Sequence, residues 1–292
     1  MHTRLLSELR RDDAGDFGGK SANLGDLLAS GLPVPGGFAI SANAYREGWT
    51  DALRAEIAGR YAELGEPPVA VRSSALGEDS AEATAAGQQE TYLWVRGADD
   101  VARAVQDCWA SLMTERAVAY RAQMGGEEAM GVAVQKMVDA EVSGVLFTCN
   151  PVSGDPSMVA VNASWGLGTA VVGGETTPDA WLLSKVTGEV VRETIGPKEI
   201  EHTPDGPAEV EPERRSVPCL DATQLAALVE VGRLAERHFG SYQDVEWAIE
   251  RGSRDLHVLQ ARPVTARREA PPVAASALAL VMQTFGAGDA ER

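Results

Sequence analysis

Only three of the 292 residues are cysteine, and Cys108, Cys149 and Cys219 stand far apart with no Cys-x-x-Cys pair. Neither a disulfide framework nor a zinc site is indicated, and such thiols suit a reducing compartment. Basic charge is also scarce: 26 lysines and arginines face 43 aspartates and glutamates, a net charge of −17. A surface this acidic repels phosphate backbones, so general nucleic-acid binding is not expected. No apolar run approaches the roughly 20 residues that cross a bilayer. The charged stretch 1–11 does not read as a secretory leader. No membrane association and a cytoplasmic location are the expectations.

What is present is a 44% hydrophobic chain, enough for one large core or two lobes. Because basic residues are few, those in Gly-rich or apolar surroundings stand out. Leu24, Leu27 and Leu28 mark a helix over 21–30, stopped by Gly31, Pro33 and Pro35. Gly18-Gly19-Lys20 stands at its start, where free N–H groups and the helix dipole favour an anion. A Gly-Gly-Lys run is by itself more often only a turn.

Strands are expected over 69–72, 91–95, 132–138, 144–148 and 158–163, and a hairpin over 181–191 turning at Thr187-Gly188. Val101, Val105, Cys108, Trp109 and Leu112 give 99–120 one apolar helical face. The polar, Pro- and Glu-rich stretch 199–215 reads as an exposed loop. Asp221 and Gln224 have capping-box spacing at the head of another helix. The Ala- and Pro-rich segment 266–292 reads as a partly ordered tail or a docking helix.

Residues 243–250 and 256–264 form a candidate antiparallel hairpin. With Glu250 opposite Leu256, Glu246 faces Gln260 and Asp244 faces Arg262, all four on one side. A carboxylate and an amide oxygen are hard donors suited to Mg2+, and an adjacent arginine can clamp a terminal phosphate. A solvent-facing hairpin carrying a cross-strand Asp–Arg pair reads the same residues equally well.

Taken in order, the motifs resemble one family. They are Gly18-Gly19-Lys20-Ser21-Ala22-Asn23-Leu24-Gly25, Val71-Arg72-Ser73-Ser74-Ala75, Glu78-Asp79 and Ala86-Gly87-Gln88-Gln89-Glu90-Thr91. Val134-Gln135-Lys136-Met137-Val138, Glu141-Val142-Ser143-Gly144-Val145 and Phe147-Thr148-Cys149-Asn150-Pro151 follow. Asn162-Ala163-Ser164-Trp165-Gly166-Leu167-Gly168, Thr177-Pro178-Asp179, Asp244-Val245-Glu246-Trp247 and Gln260-Ala261-Arg262-Pro263 complete the series. This series is similar to the ATP-binding domain of the phosphoenolpyruvate synthase and pyruvate phosphate dikinase family, which includes rifampin phosphotransferase-like enzymes.

The resemblance implies an α+β, ATP-grasp-like domain over 1–265, in two lobes closing on ATP and Mg2+, followed by the tail. It implies that Lys20 and Arg72 contact phosphates and that Gly87 and Thr91 line the phosphate path. Gln135, Met137 and Val138 would form the strand beside the adenine. Glu246 and Gln260 would hold the metal, and Arg262 would meet the terminal phosphate. Lys20, Arg72 and Arg262 are the catalytic candidates, although Arg72 could instead be a structural partner of Glu78 or Asp79.

Family members pass phosphate to a histidine on a mobile domain. None of His2, His202, His238 and His257 lies in a Gly-rich, Ser-His-containing carrier motif. The resemblance therefore implies an ATP-dependent phosphotransferase module acting on a histidine of a separate carrier protein or domain. Two departures are Thr169, where the family commonly has glutamate, and Thr84-Ala85, where Ser-Phe is usual. Thr169 and the missing carrier keep open a non-catalytic ATP-sensing or degenerate scaffold role. An ATP-grasp ligase shares the fold but fits the motif order less well.

Overall fold

A computed structural model of the chain describes residues 1–76, 90–113 and 129–264. The chain divides into two compact units, Met1–Met137 and Val138–Arg292, each a mixture of helices and antiparallel sheet, an α+β organisation.

The first unit contains β1 (Thr3–Leu5), α1 (Ala14–Phe17), α2 (Gly19–Ala29), β2 (Gly37–Ile40), α3 (Ala42–Glu47) and α4 (Asp51–Glu63). β3 (Val69–Ala75), β4 (Thr91–Val95), α5 (Ala98–Ala110) and β5 (Met130–Lys136) follow. The sheet order is β1-β2-β5-β3-β4, and every neighbouring pair is antiparallel. Alternation sends Phe38, Ile40, Val69, Val71, Val132 and Val134 to one face. They meet Leu53, Ile57 and Tyr61 of α4 and Val101, Val105, Cys108 and Trp109 of α5. Each large apolar side chain buried in this way contributes about 1.5–3 kcal/mol.

The opposite face carries Ala70, Arg72 and Ser74 on β3 and Gly131, Ala133 and Gln135 on β5, by the same alternation. The chain around α1 and α2 is pressed onto it. A Cβ at Gly18 (φ 80°) would lie 2.0 Å from the Ser74 carbonyl oxygen, and one at Gly131 would lie 2.1 Å from that of Phe17. Only glycine allows either approach.

The second unit contains β6 (Ala140–Phe147), β7 (Met158–Trp165), α6 (Thr169–Val172), β8 (Asp179–Ser184) and β9 (Val190–Thr194). β10 (Ile200–Thr203), β11 (Gly206–Glu209), α7 (Pro212–Arg215), α8 (Ala222–Phe239), β12 (Gln243–Glu250) and β13 (Leu256–Pro263) follow. Six strands form an antiparallel sheet in the order β13-β12-β6-β7-β8-β9. α8 opens with the expected capping box: Asp221 accepts from the Gln224 N–H, and Gln224 Oε1 accepts from the Asp221 N–H. Gly240, left-handed at φ 69°, ends it. Gly232 of α8 lies over Leu146 and Thr148, which places this helix on the Leu146 face of the sheet.

Three expectations are corrected. The stretch 199–215 is not merely a loop, because it holds the β10–β11 hairpin and the single turn α7. Pro204-Asp205 forms its two-residue connection, braced by the Asp205 N–H and the Gly206 carbonyl on Thr203 Oγ1. The first long helix begins at Gly19 rather than residue 21, so Lys20 belongs to its first turn. The strand expected at 132–138 ends at Lys136, and Met137 and Val138 fall on opposite sides of the unit boundary. The segments 77–89 and 266–292, including Gly87, lie outside the described residues, as does the part of the expected 99–120 helix beyond residue 113.

Candidate functional site

In the first unit, the antiparallel register pairs Arg72 with both Thr91 and Ala133, so Arg72 and Thr91 are cross-strand neighbours on one face. Lys20 reaches the same part of β3. It is only 7% exposed, and its ammonium donates to the Ser73 carbonyl at 3.1 Å. The helix start is packed rather than open, since the Ser21 N–H donates to Ser74 Oγ at 3.1 Å. That contact uses one of the N–H groups expected to face an anion. Gln135 is 2% exposed, and its Nε2 donates to the Pro35 carbonyl at 3.4 Å, tying β5 to the chain ahead of β2. Lys20, Arg72, Thr91 and Gln135 thus belong to one sheet face and its covering helix. Met137 closes the unit through its N–H on the Pro68 carbonyl.

In the second unit, β12 and β13 pair Glu246 with Gln260 and Asp244 with Arg262. Near the turn the register differs from the expectation: Ile249, not Glu250, lies opposite Leu256. A bulge between Glu246 and Trp247 absorbs the difference, placing Trp247 opposite Val258 and leaving Leu259 as the extra residue. The polar pairs therefore stand opposite each other despite the shift.

Arg262 presents Nε at 2.9 Å and a terminal nitrogen at 2.8 Å to a single oxygen, Asp244 Oδ2. Asp244 is 8% exposed, and its other oxygen, Oδ1, is buried without a hydrogen bond. Burial raises the Asp244 pKa above its ordinary value, Arg262 opposes this, and Glu246 adds to it. Arg262 remains half exposed. The arginine expected at a terminal phosphate is thus already oriented by a carboxylate.

Among the described residues, no three or more His, Cys, Asp or Glu side chains gather where a metal could sit. Glu246 and Gln260 nevertheless supply the hard oxygens that Mg2+ favours, and the unsatisfied Asp244 Oδ1 adds acceptor capacity beside them. The donor set fits a cation that completes its shell with phosphate oxygens and water.

Two clusters were not legible as sites. Lys198 and Asp179 are both fully buried and 2.5 Å apart. Thr169, at the position expected to hold glutamate, places its hydroxyl 2.7 Å from His202 Nδ1, and His202 Nε2 lies 3.0 Å from Glu175. The Leu167 N–H on the His202 carbonyl secures the backbone there.

The family model for the pyruvate phosphate dikinase AMP/ATP-binding domain matches residues 46–279. A probable phosphoenolpyruvate synthase of Methanothermobacter thermautotrophicus is 38% identical over 92% of this chain and 47% of its own length. A rifampicin phosphotransferase of a Streptomyces species is 38% identical over 91% of this chain and 36% of its own. The chain thus spans less than half the length of these relatives. Among solved structures, an acetyl-coenzyme A synthetase of Ca. Korarchaeum cryptofilum aligns with a TM-score of 0.47 at 13% identity, covering 89% of this chain and 92% of that one. Matched over most of its length, this chain belongs to the pyruvate phosphate dikinase AMP/ATP-binding domain family.

Proposed function

We propose that this chain binds ATP with Mg2+ in an ATP-grasp-like manner and passes phosphate to a histidine on a separate carrier protein or domain. The observation that carries the reading is the β12–β13 register, which sets Glu246 opposite Gln260 beside the Asp244-bound Arg262. Glu246 and Gln260 would hold the cation, which supplies charge neutralisation between phosphates when bound. Arg262, half exposed and held by Asp244, would meet a terminal phosphate. Lys20 and Arg72 are the phosphate cations of the first unit, with the Thr91 hydroxyl beside Arg72. Phosphoryl transfer asks a protein mainly for positioning and charge neutralisation, and these residues supply both. The named activities of the relatives, phosphoenolpyruvate synthesis and rifampicin phosphorylation, differ in acceptor, so the acceptor is left to the partner.

Calorimetric titration of ATP into the protein, with and without Mg2+, tests the reading. Wild type is expected to bind more tightly with Mg2+, and Glu246→Ala to lose that gain. A wild-type protein that binds no ATP in either condition overturns the proposal.

A further inference from the structure

One polar side chain on the sheet of the second unit has no use within the fold. Asn162, in the middle of β7, is 1% exposed, and among the described residues neither its Oδ1 nor its Nδ2 has a hydrogen-bond partner. A buried primary amide with every bond unmade is rare, because desolvation is incurred and nothing offsets it. Its lateral neighbours, Val145 on β6 and Ala180 on β8, are apolar. An apolar residue at this position would suit the fold better.

The sheet register says what the amide shares its face with. Asn162 pairs with Val145, Val145 with Glu246, and Glu246 with Gln260. Directly paired residues project to the same side, so one continuous row runs Gln260–Glu246–Val145–Asn162 across four strands. That side is the one away from α8, because the helix lies over Leu146, which alternation points the other way. The neighbouring row on the same side runs Arg262–Asp244–Phe147–Ala160 and contains the second orphan, Asp244 Oδ1. Buried, unsatisfied polar groups of Asn162 and Asp244 therefore share the face with Glu246 and Gln260, on different strands, and Ser164 Oγ, two residues along β7, is a third. With strands about 4.8 Å apart, the Asn162 and Glu246 backbones are separated by roughly 10 Å. A hydrated cation with its phosphates bridges such a gap between a long carboxylate and a short amide.

We infer that Asn162 is a further binding residue of the magnesium–polyphosphate unit, its Nδ2 donating to a phosphate oxygen and its Oδ1 accepting from water around the cation. The inference rests on the ATP-binding reading above but assigns a residue that the motif comparison did not. An amide is suited to the place because it offers one donor and one acceptor without adding charge beside Glu246 and Asp244.

The test compares wild type, Asn162→Leu and Glu246→Ala by ATP calorimetry with Mg2+ and with chelator, alongside thermal unfolding of the ligand-free proteins. Asn162→Leu replaces the orphan amide with an apolar group of the same heavy-atom branching and somewhat larger volume. It is expected to leave the ligand-free melting temperature unchanged or raise it. The same variant is expected to weaken Mg2+-dependent ATP binding at least about tenfold, with binding in chelator unaltered. A structural role alone would lower the melting temperature and weaken both modes of binding together, and that result overturns the inference. If Asn162→Leu does not fold, Asn162→Ser is read in the same way. Wild-type affinity in the Asn162 variant, with Mg2+ dependence lost only in Glu246→Ala, overturns the Asn162 assignment and leaves the ATP-binding reading standing. A wild-type protein that binds no ATP overturns both.

Discussion

The second unit holds two acid–base pairs that are alike in charge and separation and differ in what their atoms are doing. Asp179 and Lys198 have no exposed surface, and every polar atom is used. Lys198 Nζ donates to Asp179 Oδ1, to the Gly196 carbonyl and to the Arg215 carbonyl, satisfying the three donors of an ammonium. Asp179 Oδ1 also accepts from the Gly196 N–H, and Oδ2 accepts from the Cys219 N–H. Asp244 and Arg262 are arranged otherwise: one oxygen takes both contacts, the other is buried and unmade, and the arginine is half in solvent. A closed network holds chain segments together, and it ties β8 to the segments before β10 and α8. An open one keeps bonding capacity in reserve, which is what a ligand site requires.

Breaking the closed pair should have the largest effect. Lys198→Met leaves the Asp179 carboxylate buried with only backbone partners, and removing one member of such a pair costs about 3–5 kcal/mol. The fall should appear as a lower urea midpoint of the second unit. Adding Asp179→Asn removes the buried charge, keeps a carbonyl oxygen for one of the Gly196 and Cys219 N–H groups and sets an NH2 against the other, so it should recover only part of the loss. A double variant as unstable as the sum of its single ones would show that the two residues do not act as a pair.

Asp244→Asn should have a smaller effect, and its sign depends on pH. Burial raises the folded pKa of Asp244 above the ordinary range of an aspartate. The favourable contribution of the residue is therefore complete below the unfolded pKa and is lost as pH rises through the folded one. Asparagine does not titrate, so the stability of the variant relative to wild type should rise from acid toward neutral pH, ending within about 1 kcal/mol of wild type. Denaturation series at several pH values measure this. A relative stability that falls with pH would mean that Arg262 dominates and that the carboxylate is held as an anion after all.

The open pair was legible in the sequence and the closed one was not, for physical reasons. Polar residues alternating along two neighbouring segments, Asp244 and Glu246 against Gln260 and Arg262, announce a shared face because a strand has period two. The turn lies one residue from where alternation puts it, and only the bulge at Glu246/Trp247 keeps the pairs opposite each other. Sequence offers no signal for a bulge that has no glycine in it. Lys198 reads as surface because lysine is almost never fully buried, and the partners that make its burial possible come from separate segments. Asn162 was visible as part of a motif, yet only the register showed which row it joins and only burial showed that its amide is unsatisfied. The β10–β11 hairpin is masked in the sequence by the polarity of its strands, and only the turn chemistry of Pro204-Asp205-Gly206 marks it.

The thiols give the finest probe of the contrast between the two pairs. Burial pushes the Cys108 thiol up to about 12 and also raises Cys149 and Cys219. For Cys219, burial acts first and the neighbouring Asp179 adds to it, while Lys198 partly offsets both. Because the thiolate is the reactive form, all three should label slowly with a thiol reagent at neutral pH in the folded protein. Lys198→Met removes the offset and so raises the Cys219 thiol further, which alone would slow labelling. It also loosens the segment that the Cys219 N–H anchors on Asp179, which would speed labelling through local opening. Opening should dominate, since an encapsulated thiol is limited by access before it is limited by ionisation. Peptide-resolved labelling should then show Cys219 accelerated in Lys198→Met, with Cys108, in the other unit, unchanged. In Asp244→Asn neither thiol should respond. Acceleration of Cys219 in that variant would show that the open pair also holds the unit together.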